Sequence, residues 1–422
     1  MNQQKSNEVG FTGLPRAKPE EVGFSSERLA RIGPAMQKYI DTRMIPGVVT
    51  LVARHGSIVH LESRGLMDIE ANKPMTNDTI FRIMSMTKPI ACVGLMTLYE
   101  EGRFLLDQPI SRYLPYFKNM EVKKKDATEP ANREITFKDC MAHTAGFSLA
   151  EYRKIVPLYQ LKAGQTRPLI PGTKGRTINT ILSTTETIEE AVKLLAKIPL
   201  NFHPGTDWEY HPGHDVIGAL IEKISGQRLD KFLRERILDP LKMKDTHFYL
   251  PREKVDRFAA GYVYDKNDWG MFGLADSPST SVKVIGPHTF FPAASGLVST
   301  AEDYARFAQM LLNGGILGGA RIIGRKTIEL MTTNHTGSFN IYSRGPGYGY
   351  GLGFFVRLNL SEAPWPGTPG TYGWGGAYCT SYFADPKEDL FGLQFTQVLE
   401  AKQNPELQIR PDFERMVYQA LI

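Results

Sequence analysis

Cysteine is scarce in this chain: three residues in 422, Cys92, Cys140 and Cys379, far apart and in no Cys-x-x-Cys spacing. An odd count without that spacing excludes a disulfide framework and a zinc ribbon, and reads as free, buried thiols in a reducing compartment. No run of about 18 apolar residues occurs. The polar start, Met1 to Glu8, is not followed by an apolar secretion segment. The expectation is a cytoplasmic protein with no membrane partner. A charge excess is also lacking, with 50 basic against 45 acidic residues and a net charge of +5. The tight basic run Lys123-Lys124-Lys125 is flanked by Glu121, Asp126 and Glu129, which excludes a nucleic-acid footprint. Gly-x-Ser-x-Gly, the nucleophile elbow of α/β-hydrolases, is absent. His211 and His214 are split by Pro212-Gly213, so they form no helical ligand pair, and no further ligands stand at metal spacing. No metal and no cofactor are expected.

What is present is an ordinary globular composition, 42% hydrophobic and 23% charged, in a chain long enough for two or three subdomains. Residues 1–24 read as an N-terminal arm. Ser25-Ser26-Glu27-Arg28 offers a helix cap ahead of Leu29, Ile32, Met36 and Ile40 at helical spacing. Two apolar runs around His55-Gly56, from Gly47 to His60, read as a β-hairpin. Helical patterns at Thr187–Ala196 and Val216–Ile224, with loops such as Arg167 to Gly172, make residues 101–285 a mainly helical insert. Thr300 caps a helix reaching Leu312, with Asp303 three residues on. Strands follow at Tyr350–Leu358, Thr371–Phe383 and Leu390–Val398, the last two joined at Asp385-Pro386-Lys387-Glu388, and a helix runs from Asp412 to Leu421. Sequential strands joined by tight turns pair antiparallel. The expected fold is α+β: a five-stranded antiparallel sheet covered by both terminal helices. Residues 25–100 and 286–422 supply the sheet domain, and the active site lies in the cleft beside the insert.

Ser85-Met86-Thr87-Lys88 is the only Ser-x-x-Lys in the chain. It sits where the strand-like run Thr79–Ile83 gives way to the helical pattern from Ile90 to Met96. Positions i and i+3 share one helix face, so Lys88 stands one turn from Ser85. A serine hydroxyl becomes nucleophilic when a neighbour takes its proton, and a neutral lysine amine does that. A free lysine, pKa near 10.4, is cationic at neutral pH, so the role calls for burial or a nearby cation such as Arg82. A chain this long shows about one or two such spacings by chance, and an ordinary helix start with Ser85 as cap explains four residues equally well.

Longer stretches decide between the two. Met141-Ala142-His143-Thr144-Ala145-Gly146-Phe147, Gly205 to Tyr210 with Gly218 to Glu222, and Ala294 to Asp303 resemble segments of the serine β-lactamase and penicillin-binding fold. Its third motif, usually Lys-Thr-Gly, stands here as Trp374-Gly375-Gly376. That pattern resembles the family VIII carboxylesterases, esterases on the class C β-lactamase fold. Two departures from the wider fold stand out. Tyr210-His211-Pro212 replaces Tyr-x-Asn, and Glu-x-x-Leu-Asn is absent.

The resemblance implies Ser85 as nucleophile, Lys88 as general base and Tyr210 as partner in the proton relay. It implies an oxyanion hole from the N–H groups of Ser85 and Ala377. Trp374, Gly375 and Gly376 would line the substrate, with His211 beside Tyr210 and His143 structural. The implied function is cofactor-free hydrolysis of small, short-acyl carboxylic esters through an acyl-enzyme. A β-lactamase, a D-amino-acid peptidase, an acyltransferase and a non-hydrolytic acyl-binding sensor remain open on the same residues. The partner is a small-molecule ester, and a homo-oligomer is compatible with the sequence.

Overall fold

The computed structural model describes residues 13–155, 187–265, 268–286, 288–399, 404 and 406–422. The loop expected at Arg167 to Gly172 lies outside the described residues. The core is one sheet of eight antiparallel strands, not the five expected. Its strands are β1 (Gly47–Arg54), β2 (Ser57–Asp68), β3 (Lys73–Pro74), β4 (Tyr348–Tyr350), β5 (Phe355–Arg357), β6 (Tyr372–Gly375), β7 (Ser381–Asp385) and β8 (Leu390–Phe395). The spatial order is β4-β5-β6-β7-β8-β1-β2-β3. Two expected strands are each cut by a turn, at Gly351 to Phe354 and at Gly376 to Thr380, and Lys73–Pro74 adds an edge. In the first turn the Gly351 N–H donates to the Phe354 carbonyl at 2.8 Å.

The β1–β2 hairpin closes as its sequence indicates. His55 and Gly56 take φ of 49° and 78°, the left-handed pair of a type I′ turn. The β7–β8 turn is held by Asp385, whose carboxylate accepts from the Lys387 and Glu388 N–H groups. The first strand sits inside the sheet: β1 pairs with β2 on one side and with β8 on the other, Leu51 opposite Leu393. Every residue of β8, and all of β1 except Arg54, is buried. Both faces are therefore covered, which their apolar runs without alternation require.

The helices that cover the sheet and carry the site are α1 (Ile32–Asp41), α2 (Thr87–Glu100), α3 (Phe137–Ala142), α4 (Ile188–Leu195), α5 (Gly213–Ser225), α6 (Ala301–Leu312) and α7 (Ile409–Tyr418). α6 packs on β1, β7 and β8, while α1 packs on β2 and α7, and α7 also touches β8. Thr136, Thr187 and Thr300 each cap a helix by accepting the N–H three residues on. At Thr300 the expected return bond from Asp303 is absent; that carboxylate accepts from the Asp245 N–H and the Thr246 hydroxyl.

α2 is buried from Thr87 to Leu98. It packs along α5, which in turn packs on α3 and α4. The helix opened by the Ser-x-x-Lys motif thus lies against the expected insert. The insert, expected to be mainly helical with long loops, also carries two hairpins, Glu121–Lys123 with Thr128–Pro130, and Gly261–Asp265 with Asp268–Asp276. No described helix is long and apolar enough to cross a membrane.

Candidate active site

Ser85 sits in a 3-10 turn, Met84–Met86, directly ahead of α2. Met84 before it has φ of +47°, a conformation costly for a side chain other than glycine and found where a site demands it. The turn's first hydrogen bond runs from the Met86 N–H to the Ile83 carbonyl. The Ser85 N–H therefore precedes any acceptor inside the helix and is one of its open donors. The hydroxyl itself is partly exposed.

Three side chains converge there. The Ser85 Oγ lies 2.6 Å from the Tyr210 Oη and 3.1 Å from the Lys88 Nζ. Lys88 is 2% exposed, so it is no surface lysine. Its Nζ also donates to the Ala294 carbonyl at 2.6 Å and stands 4.8 Å from the centre of the Tyr210 ring. A carbonyl only accepts, so one Lys88 N–H is fixed there and the rest of the nitrogen turns to Ser85. Arg82, the cation expected beside Lys88, is engaged elsewhere: it pairs with Asp276 at 2.7 Å and lies over the Phe258 ring at 4.0 Å.

Tyr210 arrives on the extended segment before α5, in a ring-lined seat. Its ring centre is 4.8 Å from His143 and 6.0 Å from Trp374, and Trp374 meets Tyr350 at 5.0 Å. The Tyr210 N–H donates to the Tyr342 hydroxyl at 3.1 Å. Trp374, expected as an open wall for substrate, is 6% exposed; its ring packs between Tyr210 and Tyr350. His211, expected beside the cleft, is 1% exposed. Its Nδ1 meets the Gly213 N–H at 2.9 Å and the His143 Nδ1 at 3.3 Å, and its Nε2 meets the Ala145 N–H. It therefore packs behind the tyrosine instead of facing a ligand.

His143, His211 and His214 form one buried cluster, with ring centres 4.6 and 4.7 Å from His143. Burial holds all three imidazoles neutral, His211 pushed down to about 3 and the other two well below the usual histidine range. Among the described residues no group of three or more His, Cys, Asp or Glu is arranged to hold a metal ion. Burial likewise raises the Asp215 carboxyl to about 6, although its Oδ1 accepts from the Ala294 N–H at 2.9 Å. The thiols of Cys92 and Cys140 are buried and pushed up by desolvation.

The remaining wall is the turn from β6 into β7. Gly376 donates to the Thr380 carbonyl at 2.8 Å, and the Thr380 hydroxyl donates to the Ile83 carbonyl at 3.3 Å, two residues before Ser85. A Cβ on Gly376 would lie 2.4 Å from that Ile83 oxygen. Glycine is thus what lets the turn reach the nucleophile segment. Ala377 follows, exposed, and its N–H has no partner among the described residues. Ala294, Asp215, Tyr342 and Thr380 had no signal in the sequence; three of them serve through backbone or through distant loops.

The family model named Beta-lactamase matches residues 34–410. An uncharacterized protein of Mycobacterium tuberculosis is 31% identical over 92% of this chain and 98% of its own. Esterase EstB of Burkholderia gladioli is 29% identical over 87% of this chain and 90% of its own. Among solved structures, EstCE1, a hydrolase with promiscuous acyltransferase activity, superposes with a TM-score of 0.72 at 26% identity, covering 93% of this chain and 98% of its own.

Proposed function

The chain belongs to the beta-lactamase family and is a serine hydrolase, and on that premise we propose that it hydrolyses small, short-acyl carboxylic esters through a Ser85 acyl-enzyme. The observation that carries the reading is the Ser85 hydroxyl within hydrogen-bond reach of both Tyr210 and Lys88, at 2.6 and 3.1 Å. In it the Ser85 hydroxyl attacks the ester carbonyl while its proton passes to the Lys88–Tyr210 pair. The developing oxyanion sits between the Ser85 and Ala377 N–H groups. The pair then returns the proton to the leaving alkoxide, and water repeats the sequence on the acyl-enzyme. A neutral acyl group is favoured because the third motif carries no charged residue of its own, and the partly exposed Tyr210, backed by Trp374, offers aromatic surface there. Pro212 offers no side-chain amide to an acylamide group. Likeness to Esterase EstB supports the same reading.

One observation favours a second reading, hydrolysis of a carboxylate-bearing β-lactam or D-amino-acid peptide. The Arg410 guanidinium from α7 lies against Gly375, 2.6 Å from where a Cβ would stand, and so brings a cation to the edge strand. A third outcome, transfer of the acyl group to an alcohol, follows from the same intermediate. The test is kcat/KM for a nitrophenyl butyrate, a nitrophenyl palmitate and nitrocefin in one buffer, with Ser85→Ala as control. The butyrate should lead by at least tenfold. A nitrocefin value equal to or above it would overturn the ester reading, and a palmitate preference would overturn the short-acyl limit.

A further inference from the structure

We propose that Asp215 is a positioning residue for Lys88, acting through Ala294. The inference rests on the Ser85 acyl-enzyme reading. Asp215 stands at the third position of α5 and is 1% exposed. Its Oδ1 accepts from the Ala294 N–H at 2.9 Å, and the carbonyl of that same residue accepts from the Lys88 Nζ at 2.6 Å. Asp215 thus fixes the residue that fixes the amine.

The surrounding strap shows why the effect is local. From Ala294 to Leu297 the chain runs beside the nucleophile segment. The Leu297 N–H donates to the Thr87 hydroxyl at 3.1 Å, and the Leu297 carbonyl accepts from the Ile83 N–H at 3.2 Å. The Gly296 carbonyl accepts from Lys283 Nζ at 2.6 Å. The Leu297 end is therefore anchored independently, and Asp215 secures the Ala294 end.

A neutral acceptor would hold one amide without the cost of burying a carboxylate. The charge has another use. Lys88, facing it from α2, attracts it, and a charged acceptor makes a hydrogen bond roughly twice as strong as a neutral one. The other titratable groups around it are held neutral or lie farther along the strap. His211 and His214 flank the start of α5 and His143 ends α3, all buried and pushed down. Lys283, on the strap's far side, is pushed down to about 7 by burial. Asp215 itself is pushed up to about 6, so its charge is lost just below neutral pH, and the hold on Ala294 and Lys88 weakens with it.

The experiment compares wild type, Asp215→Asn and Asp215→Ala in kcat, KM and the pH dependence of kcat/KM, with Ser85→Ala alongside. The rate of Ser85 labelling by a fluorophosphonate is followed over the same pH range. The asparagine keeps an oxygen for the Ala294 N–H and removes the charge. Asp215→Asn should lower kcat by about tenfold with KM little changed, and should flatten the acid limb that wild type shows near pH 6. Asp215→Ala should fall further. An asparagine variant with wild-type kcat and an unchanged acid limb overturns the proposal. So does an equal loss in both variants at every pH, which is what a merely structural residue gives. Should Asp215→Asn not fold, wild-type labelling still decides: a rate with no limb near pH 6 overturns it. Ester turnover by Ser85→Ala would instead sink the acyl-enzyme reading itself, leaving the two failures distinct.

Discussion

Gly376→Ala probes the contact that brings together the two N–H groups proposed as the oxyanion hole. The new Cβ would lie 2.4 Å from the Ile83 carbonyl oxygen and 2.3 Å from the Thr380 hydroxyl. The backbone at 376 is not left-handed, so space and not torsion excludes the methyl group. A carbon and a carbonyl oxygen in ordinary contact lie about 3.3–3.6 Å apart, so the turn must retreat by about 1 Å. Ala377, whose N–H is the proposed second donor, moves with it. Loss of one oxyanion donor costs about 10²–10³ in kcat, and a 1 Å misplacement about 10². We therefore expect kcat on a butyrate ester to fall about 100-fold, equivalent to about 2.7 kcal/mol in the barrier, with KM nearly unchanged. Gly375→Ala is the control. There the nearest atom is the Arg410 Nη2 at 2.6 Å, the end of a flexible side chain, while the nearest backbone oxygen, of Thr380, is 3.1 Å away. That variant should keep kcat within a few-fold. Circular dichroism should show both folded. A folded Gly376→Ala enzyme with kcat within threefold of wild type would refute the oxyanion role of this turn.

Lys88→Ala and Tyr210→Phe should each lower kcat by about 10²–10⁴ with the fold intact, as loss of a general-base contribution does; a Lys88→Ala enzyme active at neutral pH removes that residue from the mechanism. Tyr342→Phe, which frees the Tyr210 N–H, should lower kcat by about fivefold, in line with one neutral hydrogen bond of about 1 kcal/mol, and identical kinetics would show that Tyr210 is seated by ring packing alone. The third prediction is acid lability. His143, His211, His214, His60 and His247 all have folded values pushed below the usual 6.5, to about 3 for His211 and about 4 for His60 and His247. The unfolded chain binds protons below pH 6.5 where the folded one does not, so stability drains as pH falls, by about 2 kcal/mol at pH 5 for each of His211, His60 and His247. Asp215 and Asp303, raised to about 6, act in the opposite sense, each returning about 1.4 kcal/mol by pH 5. The net loss is a large fraction of the stability of an ordinary domain. Thermal melts should collapse between pH 6 and 4.5, and an unchanged Tm at pH 4.5 would show that these imidazoles are not buried neutral.

The geometry of the candidate site was legible where it is local. Ser85 and Lys88 stand three positions apart, so helical geometry alone brings them together. The three helix caps were legible for the same reason. The Lys88 acceptor was not, because Ala294 lies 206 positions away and serves through a carbonyl that any residue would supply. Trp374 and His211 were visible as residue types, but whether a ring faces substrate or packs behind Tyr210 depends on neighbours drawn from β4 and α3. The strand number failed for a related reason. Tyr350–Leu358 and Thr371–Phe383 are apolar enough to run on as strands, and only the packing of Gly351 and Gly376 against other backbone shows that each is folded back.

The seat of β1 between β2 and β8 sets the timing of assembly on the ribosome. The Gly47 carbonyl, at the start of β1, accepts from the Thr396 hydroxyl 349 positions later. Ile422 ties back to the N-terminal arm as well, its N–H donating to the Gly23 carbonyl. At synthesis rates of about 5–20 residues per second, the apolar edge of β1 waits roughly 20–70 s for its partner. A nascent chain is therefore an open sheet edge for most of its synthesis, prone to pair with its neighbours on a polysome. Stop codons placed shortly before Leu390 should yield insoluble product, and soluble product from them would refute the timing argument.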